Sequence, residues 1–238
     1  YNLVKICLNH NKHVLCEKPL SLKVDEIEEC YNIAYQNNLI LLCALNRRFD
    51  PTIISLKKKV DSNDLGRIHQ INTISRDYPY PLASYLKISS GIFHDCGVHD
   101  IDFVNWILND KPISVYASGN KIYDYSKNMG TLDNAIIILE YSNKTIVNIN
   151  LSRISNNYDQ RIEVYGISDS YKTENPYSDN SNPISFPERY KNSYLNELNH
   201  FINAINRKEP LLITKNDCLN ILYIADACEE SYRLNKKV

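Results

Sequence analysis

Two short apolar runs, "HVLCEK" at 13–18 and "LILLCAL" at 39–45, flank a segment whose apolar residues recur at helical spacing. Strand, helix and strand in that order form a right-handed parallel unit, the repeating piece of a doubly wound α/β domain. The spacing predicts a helix over 22–37 capped by Ser21, with Asp25 and Glu26 in its first turns. Val24, Ile27, Tyr31 and Ala34 form its apolar face. Upstream, "LVKICLNHN" reads as the last turns of another helix, which Asn11 ends in the left-handed conformation. Two strands cannot make a doubly wound domain, so the expectation is that roughly the first 100 residues of an ordinary-sized domain precede Tyr1.

Past residue 48 the pattern changes. "PTIISLKKKV" is helix-like, "GRIHQINTISRD" is a long strand, and a Pro-rich loop "YPYPLASY" follows. Strands are expected near 113–119, 134–141, 145–153 and 161–166, with "SNK" at 142–144 as a hairpin turn. Residues 168–187, rich in Ser, Asn, Asp and Pro, read as a loop, and helices near 190–206 and 215–233 close the chain. Many strands with few intervening helices indicate an α+β domain with a large, mostly antiparallel open sheet. The boundary between the two domains is placed at 48/49, giving 1–48 and 49–238.

Composition excludes several classes of function. With 43% hydrophobic residues, 23% charged residues and a formal net charge of −1, the chain reads as soluble and globular. "KKK" at 57–59 is a solvated face, so neither a nucleic-acid nor a membrane partner is expected. Seven Cys with no CxxC pair point to reduced thiols in a cytoplasmic compartment.

The densest chemistry lies in "SSGIFHDCGVHDIDFVNW" at 89–106, which holds two of the six His, each followed by Asp. A helix starting near Asp95 puts Asp95, His99, Asp102 and Trp106 on one stripe, with Val98, Ile101, Val104 and Leu108 on another. A helix that only fills a core does not need a carboxylate and an imidazole at i and i+4. His94, Cys96 and His99 are ligand types that zinc accepts, but 94 and 96 point apart on a helix and no second cluster accompanies them. No metal is expected.

Four ordered blocks carry a resemblance: "CEKPL" at 16–20, "NRRFDP" at 46–51, residues 75–106, and "YDQRIEVYG" at 158–166. Together they resemble the glucose–fructose oxidoreductase / inositol dehydrogenase / rhizopine-catabolism (Gfo/Idh/MocA) family, and within it most closely the inositol 2-dehydrogenases. The resemblance implies a Rossmann dinucleotide-binding domain, of which 1–48 is a C-terminal remnant, followed by a substrate-binding and oligomerisation domain. It implies hydride transfer between a ring hydroxyl carbon of a polyol or sugar and NAD, with NADP not excluded. It also implies a homo-oligomer, a dimer or tetramer, formed through the open sheet.

By the same resemblance Lys18 falls on the family's EKP lysine, which touches both cofactor and substrate, flanked by Glu17 and Pro19. Asp95 and His99 fall on its catalytic pair, Arg47 and Arg48 on a basic block near the cofactor, and Tyr158 on a substrate-facing aromatic. His99 suits the role of base, because an imidazole titrates near neutrality and a helix N-terminus favours its neutral form. Asp95 would orient the ring or bind a substrate hydroxyl, and Lys18 would stabilise developing alkoxide. The sequence departs from the family pattern where Ser90 replaces a Gly that can need an unusual backbone angle, and where "GISDS" replaces the turn after the EVYG strand. The glycine-rich fingerprint does not occur in these residues. The competing reading is therefore a catalytically inactive family member that binds a polyol or acts as an interaction protein.

Overall fold

The computed structural model describes residues 1–173 and 185–238. In chain order the elements are α1 (Asn2–Asn9), β1 (Val14–Glu17), α2 (Val24–Gln36), β2 (Leu41–Ala44), a 3-10 turn (Asn46–Phe49), α3 (Pro51–Asp61), β3 (Ile68–Arg76), α4 (Ala83–Leu86) and a π-type turn (Phe93–Gly97). There follow α5 (Val98–Leu108), β4 (Ser114–Asn120), α6 (Asp124–Met129), β5 (Asn134–Glu140), β6 (Ile146–Ser152), β7 (Asp159–Gly166), β8 (Ser170–Lys172), α7 (Phe186–Arg189), α8 (Lys191–Ile205) and α9 (Lys215–Leu234). They fall into two compact units, Tyr1–Pro51 with Tyr190–Tyr223, and Thr52–Arg189 with Ile224–Val238.

In the first unit β1 and β2 pair in parallel, with Cys16 opposite Cys43. Asn11 takes a φ of 57°, the left-handed stop expected after α1. Helix α2 starts at Val24 rather than 22, because Lys23 is still extended (φ −123°, ψ 134°). Ser21 lies two residues outside the cap position, which Lys23 occupies, and accepts the Lys23 N–H at 3.1 Å. Ile27, Cys30 and Ala34 are the buried face of α2. Tyr31 is half-buried, and its hydroxyl lies 3.2 Å from the Cys218 thiol.

Residues 190–223 cluster with this unit instead of with the sheet domain, and the 3-10 turn supplies the physical reason. Its four residues are all buried, and their carbonyls, outside any sheet ladder, require donors. Helix α8 provides them: the Ser193 hydroxyl donates to Asn46 O, and Asn196 Nδ2 donates to Phe49 O at 3.1 Å. Arg48 reaches the other way, with Nη1 donating to Leu212 O at 3.1 Å and Nη2 to Asp217 Oδ1 at 2.8 Å.

The second unit is built on a mixed, largely antiparallel sheet in the order β4-β5-β6-β3-β7-β8, in which only β3 and β6 run parallel. Residues alternate along each strand, so Ile71, Ile137, Leu139, Val147, Ile149, Leu151, Ile162 and Val164 all lie buried. The expected hairpin joins β5 to β6, closed by Lys144 N–H to Tyr141 O at 2.9 Å with Lys144 at φ 70°. The loop expected over 168–187 is not all loop, since β8 pairs antiparallel with β7 and Phe186–Arg189 is helical; residues 174–184 lie outside the described residues. At Gly166 a Cβ would stand 1.9 Å from Leu65 O, so this turn tolerates only glycine. Among the described residues no helix is long and apolar enough to cross a membrane.

The Arg48–Asp217 pair allows a pH test. Burial by itself pushes the Asp217 carboxyl up, but the Arg48 charge and the Thr214 hydrogen bonds outweigh it and hold the group below the ordinary carboxylate value. A depressed folded-state pKa contributes stability above the unfolded value and loses it as pH falls through the folded value. Asp217→Asn is expected to lower the melting temperature at neutral pH. The deficit should shrink only below about pH 4, where the wild-type carboxyl takes up its proton. A deficit independent of pH would contradict this.

Candidate active site

Helix α5 begins three residues later than the stripe requires. Residues 93–97 form the wider π-type turn, and His99 falls in the first turn of α5 itself. Asp95 therefore sits on the wide turn, with His99 one turn on. Leu108 is only half-buried, and Ile107 replaces it on the inner face. Asp102 is buried, so the four-residue stripe is not one open face.

The rotation of α5 is held by polar groups beneath it. Asp100, 1% exposed, accepts from the Ser75 hydroxyl of β3 at 2.8 and 3.0 Å, and the same hydroxyl lies 2.8 Å from Gln160 Oε1 of β7. Ser75 and Gln160 are cross-strand partners. Asp100 thus faces the sheet, and the adjacent His99 is half-buried.

Asp95 is anchored more firmly than its sequence context suggests. Oδ2 accepts from Arg153 Nη2 at 2.8 Å and from the Ser89 hydroxyl at 3.0 Å, and Oδ1 accepts from the Tyr85 hydroxyl at 2.7 Å. The Arg153 side chain is 1% exposed and that of Asp95 11%. Burial works against the Arg153 charge, but the neighbouring Cys96 and Asp95 raise its pKa above the usual guanidinium value. Burial, and then the bond to Asp95, push the Tyr85 phenol up. Sequence reasoning missed Arg153, Ser89 and Tyr85. A signal for Arg153 existed: it directly follows the charge-free run "TIVNINLS" at 145–152.

The unusual backbone angle suspected at 90 lies one residue on, at Gly91 with φ 88°. Ser90 is not in the left-handed region, so its replacement of a Gly introduces no strain. Beside this segment a groove of about 420 Å³ is lined by Ser89, Gly91, Asn128, Gly130 and Thr131 among others. Tyr158, just before β7, is 4% exposed. Of the residues weighed as metal ligands, His94 pairs through Nε2 with Asp226 at 2.8 Å, and the Cys96 thiol donates to Asp77 at 3.4 Å.

The remaining candidates belong to the first unit. Glu17 ends β1, and Lys18 and Pro19 follow it, Lys18 half-buried. Arg47 is in the 3-10 turn after β2, its guanidinium 5.7 Å from the Tyr190 ring centroid. Since β1 and β2 are parallel, Lys18 and Arg47 lie at the same, carboxyl end of the sheet, where doubly wound domains bind ligands. A cation and an arginine there fit a dinucleotide, whereas Arg48 is engaged by Asp217 and Leu212.

Residues 53–172 match the GFO/IDH/MocA C-terminal domain, and residues 1–45 match the oxidoreductase family with an NAD-binding Rossmann fold. The chain belongs to the GFO/IDH/MocA oxidoreductase family. Its GFO/IDH/MocA relatives include the myo-inositol 2-dehydrogenase of Thermotoga maritima, 32% identical over 99% of this chain and 75% of that protein. The inositol 2-dehydrogenase of Rhizobium meliloti is 30% identical over 100% of this chain and 76% of its own length. A scyllo-inositol dehydrogenase from Lactobacillus casei, solved with bound NAD(H) and scyllo-inositol, superimposes with a TM-score of 0.88 at 28% identity, over 100% of this chain and 76% of that one.

The polar layer under α5 is testable without substrate. Ser75→Ala removes the hydroxyl that serves buried Asp100 and is expected to cost about 1–3 kcal/mol. Urea unfolding checks this, and an unchanged midpoint would show that the layer does not hold the helix.

Proposed function

We propose that this protein oxidises a ring hydroxyl of a cyclic polyol of the myo-inositol class, with NAD as its cofactor. The observation that carries the reading is Asp95, held in place by buried Arg153 one turn before His99, in a chain similar along its whole length to inositol dehydrogenases. Glu17, Lys18, Pro19 and Arg47 would hold the dinucleotide, and Arg48 would keep the turn that carries Arg47 in shape. NAD, when bound, supplies the hydride acceptor.

The protein's own residues handle the proton and the substrate. The Lys18 ammonium stabilises negative charge on the substrate oxygen as it develops, which makes the hydroxyl more acidic. His99 takes the hydroxyl proton. Asp95 accepts a hydrogen bond from a neighbouring ring hydroxyl or orients His99, and Tyr158 packs near the substrate. The assembly is a dimer or tetramer through the open sheet, which leaves Ile136 46% and Ile146 49% exposed in the single chain. The compartment is the cytoplasm, consistent with seven cysteines of which none forms a disulfide.

The test uses protein produced with whatever coding sequence precedes Tyr1, assayed for NAD reduction over a panel of inositols and aldoses. Turnover of an inositol is expected. Turnover of an aldose alone would replace the substrate and keep the chemistry, and no turnover of either would favour the inactive reading. His99→Ala is expected to lower turnover by roughly 100- to 10,000-fold with an unchanged melting temperature. Near-normal activity per folded molecule would end the assignment of His99 as base.

A further inference from the structure

We propose that Arg153 is the positioning residue of Asp95, holding that carboxylate as an anion in a single orientation so that it can act on the substrate. The inference rests on the functional reading above, since it matters to catalysis only if Asp95 does.

Arg153 follows β6, and its backbone is fixed where its N–H donates to Asp133 O at 2.8 Å. From there the side chain runs through the interior and ends on three oxygens. Nη1 donates to Thr131 Oγ1 at 3.0 Å, and Nη2 donates to Ser89 Oγ at 3.0 Å and Asp95 Oδ2 at 2.8 Å. Ser89 also donates to Asp95 Oδ2, so two of the three oxygens are tied to each other as well as to the guanidinium. A planar fork can serve such divergent acceptors at once, and a single ammonium cannot reproduce that geometry. Ser89 and Thr131 both line the groove beside the Gly91 turn, so the same arginine sets one wall of that groove and the charge beside it.

Asp95 accepts hydrogen bonds from two hydroxyls and from a guanidinium. Tyr85 donates a hydrogen bond but is neutral, with its pKa raised. Cys96 and His99 are on the same stretch of chain, and Asp77, which accepts from Cys96, is itself acidic. The guanidinium of Arg153 is a permanent cation, and it is ion-paired with Asp95.

Two variants, Arg153→Met and Arg153→Lys, test this in protein carrying any sequence upstream of Tyr1. Three readouts are taken together: the carboxyl-carbon NMR titration of Asp95, assigned with Asp95→Asn; the pH profile of turnover; and the melting temperature. In Arg153→Met the Asp95 titration should move up by about one unit or more, as expected when an adjacent opposite charge is removed. The acid limb of turnover should move with it, and KM for NAD should not change. Arg153→Lys should restore the titration and the acid limb while leaving turnover below wild type. An Asp95 titration in folded Arg153→Met that coincides with wild type overturns the proposal. If Arg153→Met does not fold, Arg153→Lys decides: wild-type turnover and profile in that variant overturn it. Wild-type protein that turns over no polyol overturns the functional reading instead, while the titration still reports whether Arg153 sets the charge of Asp95.

Discussion

A carboxylate and a guanidinium brought together almost out of contact with water are the interaction around which the polar groups beside the α5 turn are arranged. Asp95 and Arg153 are 2.8 Å apart, and the arginine side chain is nearly fully buried. Such a pair is costly to desolvate, and removing one partner alone leaves an uncompensated charge worth about 3–5 kcal/mol of destabilisation. A chain that only needed to fill this space would do so more cheaply with apolar side chains. Ser89, Tyr85 and Thr131 offset part of that cost by hydrogen-bonding the pair. The second polar layer, Ser75, Gln160 and Asp100, has a complementary effect by fixing which way α5 faces.

The first unit depends on a different constraint. Its 3-10 turn buries four residues whose carbonyls have no sheet to join, and helix α8 and the segment around Leu212 and Asp217 supply the missing partners. That requirement explains why residues 190–223, distant in sequence, complete a unit that begins at Tyr1. It also separates two adjacent arginines that look equivalent as letters: Arg48 is engaged in holding the turn, and Arg47 lies against Tyr190 at the carboxyl end of the strands.

Much of the fold was legible because it rests on local periodicity. The parallel β1-α2-β2 unit, the long β3, the β5–β6 hairpin at "SNK" and the two closing helices follow from apolar spacing and turn residues. What the sequence did not disclose depends on partners far along the chain. The buried face of α2 includes Cys30, with Tyr31 turned toward Cys218, 187 residues away. Strand β8 is polar and only three residues long, so nothing in its composition distinguishes it from the loop around it. Helix α6 carries Asp124 in its first turn and Gly130 at its end, signals that were readable but lie in a run of six residues too short to show a period. Of the candidate site, Asp95 and His99 stand out by their spacing. Arg153 could not be paired with Asp95, since the two lie 58 residues apart.

The proposed reaction has His99 take the proton of a ring hydroxyl while a hydride leaves the carbon that bears that hydroxyl for the nicotinamide. The most direct measurement follows that hydrogen, using myo-inositol deuterated at the carbon that bears the oxidised hydroxyl. The account predicts that the deuterium appears on the nicotinamide ring of the reduced cofactor, with turnover slowed relative to unlabelled substrate whenever the transfer step limits the rate. Oxidised product accompanied by deuterium in solvent, and none on the cofactor, would contradict it.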